Sequence, residues 1–207
     1  MIRQESPQPG LAVLTIDRPD RANALTGAIL RDLAATLGDL AEAATCRAVI
    51  LTGAGRVFSA GADLDEVREA GLATAPEWEA LSARMAAMPC LTIAALNGTL
   101  AGGAFGVVLA CDLRVAVPAA RFFYPVMRLG YLPQPSDPPR LAALVGPARA
   151  RMILMGGQKI AAPEALAWGL IDRIADDPLA EAAALAADCL AASADHVSTI
   201  KRMVVQR

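Results

Sequence analysis

Apolar and amphipathic stretches alternate along the 207-residue chain. Four short runs of aliphatic residues, each followed by turn-forming residues, predict buried strands. They cover residues 11–16, 48–52, 91–96 and 113–117. Because the apolar positions are continuous instead of alternating, these strands favour a parallel sheet that is covered by helices. We therefore expect an α/β fold.

Helical spacing of apolar residues fills much of the remaining chain. Thr26 is suited to cap a helix that ends at about residue 43, and Pro76 can begin another over 77–88. Further helices are predicted at 64–70, 101–110, 141–145, 148–155, 163–168, 179–192 and 197–205, with a last short strand at 170–174. The proline-rich segment 118–139 is expected to be irregular. We predict a core over residues 1–175 and a helical segment over 176–207.

Composition and charge exclude several classes of protein. Hydrophobic residues make up 55% of the chain and charged residues 19%, which excludes a disordered chain and implies a large core. A net charge of −2 with scattered charges predicts no nucleic-acid surface.

Residues 85–111 hold no charge, yet Pro89 and several glycines predict a strand, a turn and a buried helix there instead of a membrane span. The polar residues 1–10 are not typical of a signal peptide, so we expect a cytoplasmic protein.

No spacing of potential ligands predicts a metal site. The four cysteines form no CxxC or zinc-like pair; they are Cys46, Cys90, Cys111 and Cys189. We expect four reduced, buried thiols. The single histidine, His196, lies far along the chain from the other candidate residues, and no catalytic role is predicted for it.

Two glycine-rich turns are the strongest candidates for chemistry, because each follows a predicted strand and precedes a predicted helix. They are residues 58–64 (FSAGADL) and 97–106 (NGTLAGGAFG). Glycine allows close approach of two backbones, and a helix that begins after such a turn points unpaired N–H groups outward. Two adjacent turns of this kind can direct two donors at one developing oxyanion.

Three other interpretations of these glycines were weighed. The turns could be tight connections that bind nothing. Gly53-Ala54-Gly55 could begin a dinucleotide-binding turn, but Phe58 stands where the third glycine belongs. A phosphate-binding Walker loop is excluded because no Gly-Lys-Ser/Thr sequence is present.

The order of motifs closely resembles the crotonase superfamily, that is, the enoyl-CoA hydratase/isomerase family. The motifs are 18–25 (RPDRANAL), the two glycine-rich turns, 110–112 (ACD), 129–130 (LG), 140–146 (RLAALVG) and 165–171 (ALAWGLI). The resemblance covers roughly residues 10–205. It implies a ClpP/crotonase-like spiral of ββα units with a short C-terminal helical appendage.

The resemblance also implies a site for an acyl-CoA thioester, with no cofactor beyond the CoA of the substrate itself. The N–H groups of Ala62 and Gly103 would form the oxyanion hole. Contacts to CoA would come from the first motif and the first turn; the residues concerned are Ala24, Leu25, Ala60, Asp63 and Leu64. Asp63 and Asp112 are also expected to fix a loop and a strand end. No membrane or nucleic acid is expected as a partner.

The sequence departs from the family where the catalytic acids belong. Hydratases of the family use a pair of glutamates, since one carboxylate and one carboxylic acid supply both halves of the addition of water. Gly106 and Val126 stand at those two positions here. Gln134 stands at a third position, where other members carry an acidic or tyrosyl group. Ordinary hydratase chemistry therefore needs an acid from elsewhere.

Replacement groups are sought in the segment expected to cover the acyl group and just after the first turn. The candidates are Asp65, Glu66, Tyr124, Arg128, Tyr131, Ser136 and Asp137. We predict Asp137 as the relocated carboxylate and Tyr131 as the proton donor.

Two hypotheses on function remain open. The first is an acyl-CoA enzyme that stabilises a thioester enolate; decarboxylation fits its residues best, and isomerisation or hydration would depend on Asp137. The second is a non-catalytic acyl-CoA-binding or assembly subunit. The family usually continues past Lys201 with helices that pack between subunits, so the end of this chain at Arg207 weakens the expectation of a homo-trimer or hexamer.

Overall fold

The computed structural model of the protein describes residues 1–43 and 45–204. Within these residues the strands form two sheets. The larger sheet has the order β1–β2–β3–β5–β7–β10 and the smaller one the order β4–β6–β8–β9. The strands are β1 (Ile2–Gln8), β2 (Leu11–Ile16), β3 (Ala48–Gly53), β4 (Val57–Ser59), β5 (Leu91–Leu96), β6 (Thr99–Ala101), β7 (Leu113–Ala116), β8 (Arg121–Phe123), β9 (Ile160–Ala161) and β10 (Arg173–Ile174).

Helices connect the strands and cover the larger sheet. In chain order they are α1 (Gly27–Glu42), α2 (Leu64–Ala70), α3 (Glu77–Ala86), α4 (Phe105–Leu109), α5 (Val126–Leu129), α6 (Asp137–Val145), α7 (Pro147–Leu154), α8 (Ala162–Trp168), α9 (Pro178–Leu185), α10 (Ala187–Ala191) and α11 (Ala194–Met203). The predicted cap of α1 is confirmed, since the Thr26 side chain accepts a hydrogen bond from the Ile29 N–H.

A repeated pattern gives the fold its spiral form. Three times, a strand of the larger sheet is followed by a short strand of the smaller sheet and then by a helix. The strand pairs are β3–β4, β5–β6 and β7–β8, and the pairs stack in parallel in both sheets. The turns that follow β4 and β6 therefore lie side by side, which is the ββα arrangement that the resemblance implies.

The inner strands β2, β3, β5 and β7 of the larger sheet are buried on both faces, as their continuous apolar residues predict. One face packs on the main core with α1, α3 and α4. On the other face, residues such as Val13, Ile50 and Ile93 pack against Ala182 and Ala186 at the end of α9. The division at residue 175 stays a prediction, and Val205 at the end of the last predicted helix lies outside the described residues.

Several predicted elements need correction. The polar residues 2–8 form β1, which needs no apolar pattern because it is an exposed edge strand, where Pro7 is tolerated. The predicted helix 101–110 is α4 preceded by a 3-10 turn, because Ala101 still belongs to β6. Segment 118–139 is not irregular throughout, since it contains β8, α5 and the beginning of α6. Prolines 138 and 139 are tolerated in the first turn of α6, where backbone N–H groups have no helical acceptor.

Smaller corrections concern the end of the chain and the thiols. Only residues 173–174 of the predicted strand 170–174 pair with β7. The predicted helix 179–192 breaks at Ala186 into α9 and α10. Three cysteines are buried and free as expected, whereas Cys189 is half-buried. Among the described residues, no helix combines the length and the apolar character needed to cross a membrane.

Candidate active site

The two glycine-rich turns touch each other through their glycines. Gly61 has a φ of +94° and Gly102 a φ of +56°, both in the left-handed region that favours glycine. A Cβ placed on Gly61 would lie 2.8 Å from the Ala101 carbonyl oxygen and 3.3 Å from the Gly103 nitrogen. A side chain at residue 61 would therefore force the two turns apart.

This contact brings Ala62 and Gly103 together with their N–H groups unused. In the first turn, the N–H groups of Ala60, Gly61 and Asp63 each donate to an acceptor within the fold. Within the described residues, the Ala62 N–H has no such acceptor. Gly103 is the second residue of the 3-10 turn before α4, and its N–H also finds none there. Both predicted donors are half-buried and available to an external oxygen.

The buried side chain of Asn23 holds the first turn to the end of β3. Its Nδ2 donates to the carbonyl oxygens of Ala54 at 2.8 Å and Val57 at 2.7 Å. Its Oδ1 accepts from the Arg18 N–H at 2.9 Å, and its own carbonyl oxygen accepts from the Ser59 hydroxyl at 2.8 Å. Asn23 has a φ of +54°, a conformation that asparagine tolerates better than most residues. The motif 18–25 thus positions the turn.

Asp63 fixes the other end of the same turn. Its Oδ1 accepts from the N–H groups of Asp65 and Glu66 at the beginning of α2, and its Oδ2 lies 2.6 Å from the Arg18 guanidinium. The hydrogen bond from Arg18 holds the pKa of this buried carboxyl below its usual range. These contacts agree with the expected structural role of Asp63. Asp112 has a similar role, with its Oδ2 accepting from Thr92 and Lys201.

The other predicted CoA contacts differ in accessibility. Ala60 and Leu64 are exposed, and Ala24 is half-buried. Leu25 is fully buried, so its side chain belongs to the core. Its backbone holds the first turn at two points. The Leu25 N–H donates to the Gly61 carbonyl oxygen at 2.7 Å, and the Leu25 carbonyl oxygen accepts from the Asp63 N–H at 2.9 Å. Contact between CoA and any of these residues stays a prediction.

The space beside Gly106, where the family's first glutamate belongs, is occupied by the carboxylate of Asp137. A Cβ placed on Gly106 would lie 2.8 Å from Asp137 Oδ1 and 2.7 Å from Ser82 Oγ. Asp137 begins α6 and Ser82 lies on α3, so both helices meet α4 at this glycine. The carboxylate of Asp137 therefore occupies the place where a side chain at residue 106 would begin.

Burial and one hydrogen bond define the chemistry of Asp137. The residue is 0% exposed, and its Oδ2 accepts a hydrogen bond from the Tyr124 hydroxyl at 2.8 Å. Its Oδ1 has no partner among the described residues. Burial raises the pKa of this carboxyl to about 6, although the Tyr124 hydrogen bond opposes the shift. Burial and the neighbouring carboxylate also raise the pKa of Tyr124.

Glu79 of α3 anchors the beginning of α6 and so positions Asp137. Its Oε2 accepts from the Ser136 N–H at 3.2 Å and from the Ser136 hydroxyl at 3.0 Å. Arg140 donates to the same hydroxyl at 2.7 Å. The charges of Glu79 and Arg140 act on the pKa of Asp137 in opposite directions, Glu79 raising it and Arg140 lowering it.

The structure brings Tyr124, and not the predicted Tyr131, to this carboxylate. Tyr131 is 39% exposed in the loop after α5, and its hydroxyl has no hydrogen-bond partner within the described residues. Tyr124 directly follows β8 and is buried. Its ring stacks on the ring of Phe105, with 5.3 Å between the two centroids. The role of Tyr131 as a proton donor remains a prediction.

The other residues considered for catalysis either have no acidic group or form contacts elsewhere in the fold. Val126 is buried and apolar, and Gln134 donates to the Ala73 carbonyl oxygen at 3.3 Å. Glu66 accepts from the Gly27 N–H at the beginning of α1, and Asp65 forms surface ion pairs. His196 is exposed on α11.

Sequence reasoning missed the contribution of α3, which carries Ser82 and Trp78 to the two glycines. Nothing in the spacing of these residues distinguishes them from ordinary core positions, so only the packing of α3 on α4 reveals them.

Comparisons with known proteins agree with this geometry. The family model described as enoyl-CoA hydratase/isomerase matches residues 6–207. A probable enoyl-CoA hydratase of Mycobacterium bovis is 32% identical over 198 residues, which are 94% of this chain and 77% of that protein. A short-chain-enoyl-CoA hydratase of Clostridium acetobutylicum is 35% identical over 171 residues, which are 80% of this chain and 66% of that protein.

Solved structures share the fold over nearly the whole chain. The crystal structure of an enoyl-CoA hydratase from Bacillus anthracis superimposes with a TM-score of 0.92 at 30% identity, and the match covers 97% of this chain and 81% of that one. These findings confirm the α/β crotonase fold. The chain belongs to the enoyl-CoA hydratase/isomerase family of the crotonase superfamily.

Proposed function

We propose that the protein acts on an acyl-CoA thioester and stabilises its enolate at the N–H groups of Ala62 and Gly103, while Asp137 carries the proton. The observation that supports this proposal is the carboxylate of Asp137 against Gly106, with one oxygen held by Tyr124 and the other without a partner. A carboxyl whose pKa is about 6 can both accept and return a proton near neutral pH.

Double-bond isomerisation is the reaction that suits a single carboxylate. Oδ1 of Asp137 would take a proton from a carbon of a 3-enoyl thioester next to the carbonyl. The electron pair of that C–H bond would move to the thioester oxygen, which the two N–H donors stabilise. The same carboxyl would return its proton to the far carbon of the double bond, so that the enolate electrons form the new double bond. Hydration is less well supported, because Val126 offers no second acid.

A non-catalytic acyl-CoA-binding subunit is the alternative. It is favoured by the full burial of Asp137 and by the Trp78 ring, which lies against Gly103. Under this alternative, thioesters would bind at the two turns but no proton would move.

Turnover assays against crotonyl-, 3-enoyl-, malonyl- and methylmalonyl-CoA test the proposal; chromatography before mass spectrometry separates the 2-enoyl and 3-enoyl isomers, which have the same mass. We expect turnover of the 3-enoyl thioester, with a loss of about 100-fold or more in Asp137→Asn. A Gly103→Pro variant, which lacks the donor N–H, should lose turnover as well. Asp39→Asn, an exposed carboxylate on α1, is the matched control and should keep it.

The outcomes separate the two functions. Binding of thioesters without turnover of any of them would favour the non-catalytic alternative. Turnover of malonyl-CoA that does not depend on Asp137 would favour decarboxylation.

A further inference from the structure

The ring of Trp78 lies directly against the second glycine-rich turn. A Cβ placed on Gly103 would lie 3.1 Å from two ring carbons of Trp78, Cη2 and Cζ3. A side chain at residue 103 would therefore need the ring to shift by a few tenths of an ångström. The indole is thus a neighbour of the proposed oxyanion donor.

Trp78 is fixed where it lies. It is 3% exposed, and its Nε1–H donates to the Leu72 carbonyl oxygen at 2.8 Å. Leu72 is itself buried, so the acceptor is held on the inside of the fold. With the ring in the core and its polar atom satisfied, the side chain has little freedom to move aside for a ligand.

Trp78 and Ser82 lie one turn apart on the same face of α3 and line one side of the site. Trp78 contacts Gly103 and Ser82 faces Gly106, where the carboxylate of Asp137 also lies. In the proposed complex, a thioester whose carbonyl oxygen is held at Gly103 places its acyl carbons next to this row of side chains. The indole occupies the space beside the first of these positions.

We propose that Trp78 closes the acyl side of the thioester site and limits the acyl group to short chains. This inference rests on the proposed function, because it needs a thioester held at Ala62 and Gly103. It adds the class of substrate. Short thioesters such as acetyl- or butyryl-CoA fit the site, whereas a longer acyl chain would clash with the indole ring of Trp78.

Calorimetric binding of saturated acyl-CoAs tests the inference without depending on turnover, since these thioesters have no double bond to move or hydrate. The series is acetyl-, butyryl-, octanoyl- and dodecanoyl-CoA. For the unaltered protein, we expect octanoyl-CoA to bind at least about tenfold more weakly than butyryl-CoA. In Trp78→Leu this difference should disappear or reverse, while the affinity for acetyl-CoA changes little.

Trp168→Leu is the matched control, because Trp168 is the other tryptophan and its ring contacts Arg149 on α7. It should keep the preference for short chains. Trp78→Leu that keeps the same preference would overturn the proposal, as would tight binding of octanoyl-CoA to the unaltered protein.

A second measurement retains Trp78 and so does not depend on the folding of a variant that lacks it. In Trp168→Phe, Trp78 is the only tryptophan and therefore the only source of indole fluorescence. We expect butyryl-CoA to change this emission, and no change at saturation would contradict the proposal. Failure of every thioester to bind would overturn the proposed function too, whereas equal binding of all chain lengths would overturn the role of Trp78 alone.

Discussion

The two sides of the candidate site are built on different principles. On the proposed oxyanion side, backbone N–H groups of Ala62 and Gly103 would bind the thioester oxygen, and residues such as Asn23 and Asp63 hold that backbone in place. On the proposed acid/base side, a single side chain, that of Asp137, would carry the proton. Its carboxylate reaches Gly106 from α6.

The comparison explains why one side keeps the family's motifs and the other does not. The direction of a backbone N–H group is set by the conformation of the surrounding chain. Many residues must therefore keep their positions for that N–H to point at its acceptor. A side-chain carboxylate can be supplied by any element of the fold from which it reaches the reacting atoms. An acid can therefore move between elements while an oxyanion hole cannot.

The largest expected effect comes from exchanging the position of the acid. Gly106→Glu alone should destabilise the fold by about 3 kcal/mol, because its Cβ would meet Asp137 Oδ1 at 2.8 Å and Tyr124 holds that carboxylate in place. Ser82 offers less resistance, since its hydroxyl can turn to another rotamer. Adding Asp137→Gly frees the space, so the double variant should regain most of the stability and keep activity within about tenfold of the unaltered protein.

Urea unfolding and turnover of a 3-enoyl-CoA measure both parts of this exchange. Gly38→Glu is the matched control, since a Cβ at residue 38 would lie no closer than 3.8 Å to Arg84. It should unfold like the unaltered protein. A double variant that is as unstable as Gly106→Glu would show that the two positions do not share one space.

The next effect tests the oxyanion side. Asn23→Ala removes three hydrogen bonds at once, two of them to the carbonyl oxygens of the half-buried residues Ala54 and Val57. We expect a loss of about 3 kcal/mol in the free energy of unfolding, and weaker thioester binding because the first turn loosens. Asn97→Ala, at a half-buried position in the second turn, should cost less. Equal losses for the two variants would contradict the special role of Asn23.

Sequence reasoning predicted the oxyanion side better than the acid/base side. The motif 18–25 and both glycine-rich turns identify a contact that the positive φ values of Gly61 and Gly102 require. The sequence identifies Asp137 as a candidate carboxylate, but its position beside Gly106 depends on how α6 packs against α4. Tyr124 is one of seven candidates from the sequence and Trp78 is none of them, because a buried aromatic residue looks the same whether it fills a core or borders a site.

The smallest expected effect is a pH-dependent change in stability that belongs to Asp137 alone. Its pKa is about 6 in the folded protein, against 3.8 for an ordinary aspartate, so the folded state binds the proton more tightly. The stability that comes from this proton is fully present below about pH 4 and is lost as the pH rises through about 6. At about pH 8 the buried carboxylate is charged, and the stability of Asp137→Asn relative to the unaltered protein should be about 2 to 3 kcal/mol higher than at about pH 4.

Urea unfolding of both proteins between about pH 4 and pH 8 isolates this effect, since every other titrating group is common to the two. The difference in unfolding free energy should grow as the pH rises from about 4 to about 6 and should level off above that range. A difference that stays constant with pH would mean that Asp137 is not held as a proton-binding group in the fold. Asp137 would then contribute to packing and not to proton transfer, and the proposal for the oxyanion side would be unaffected.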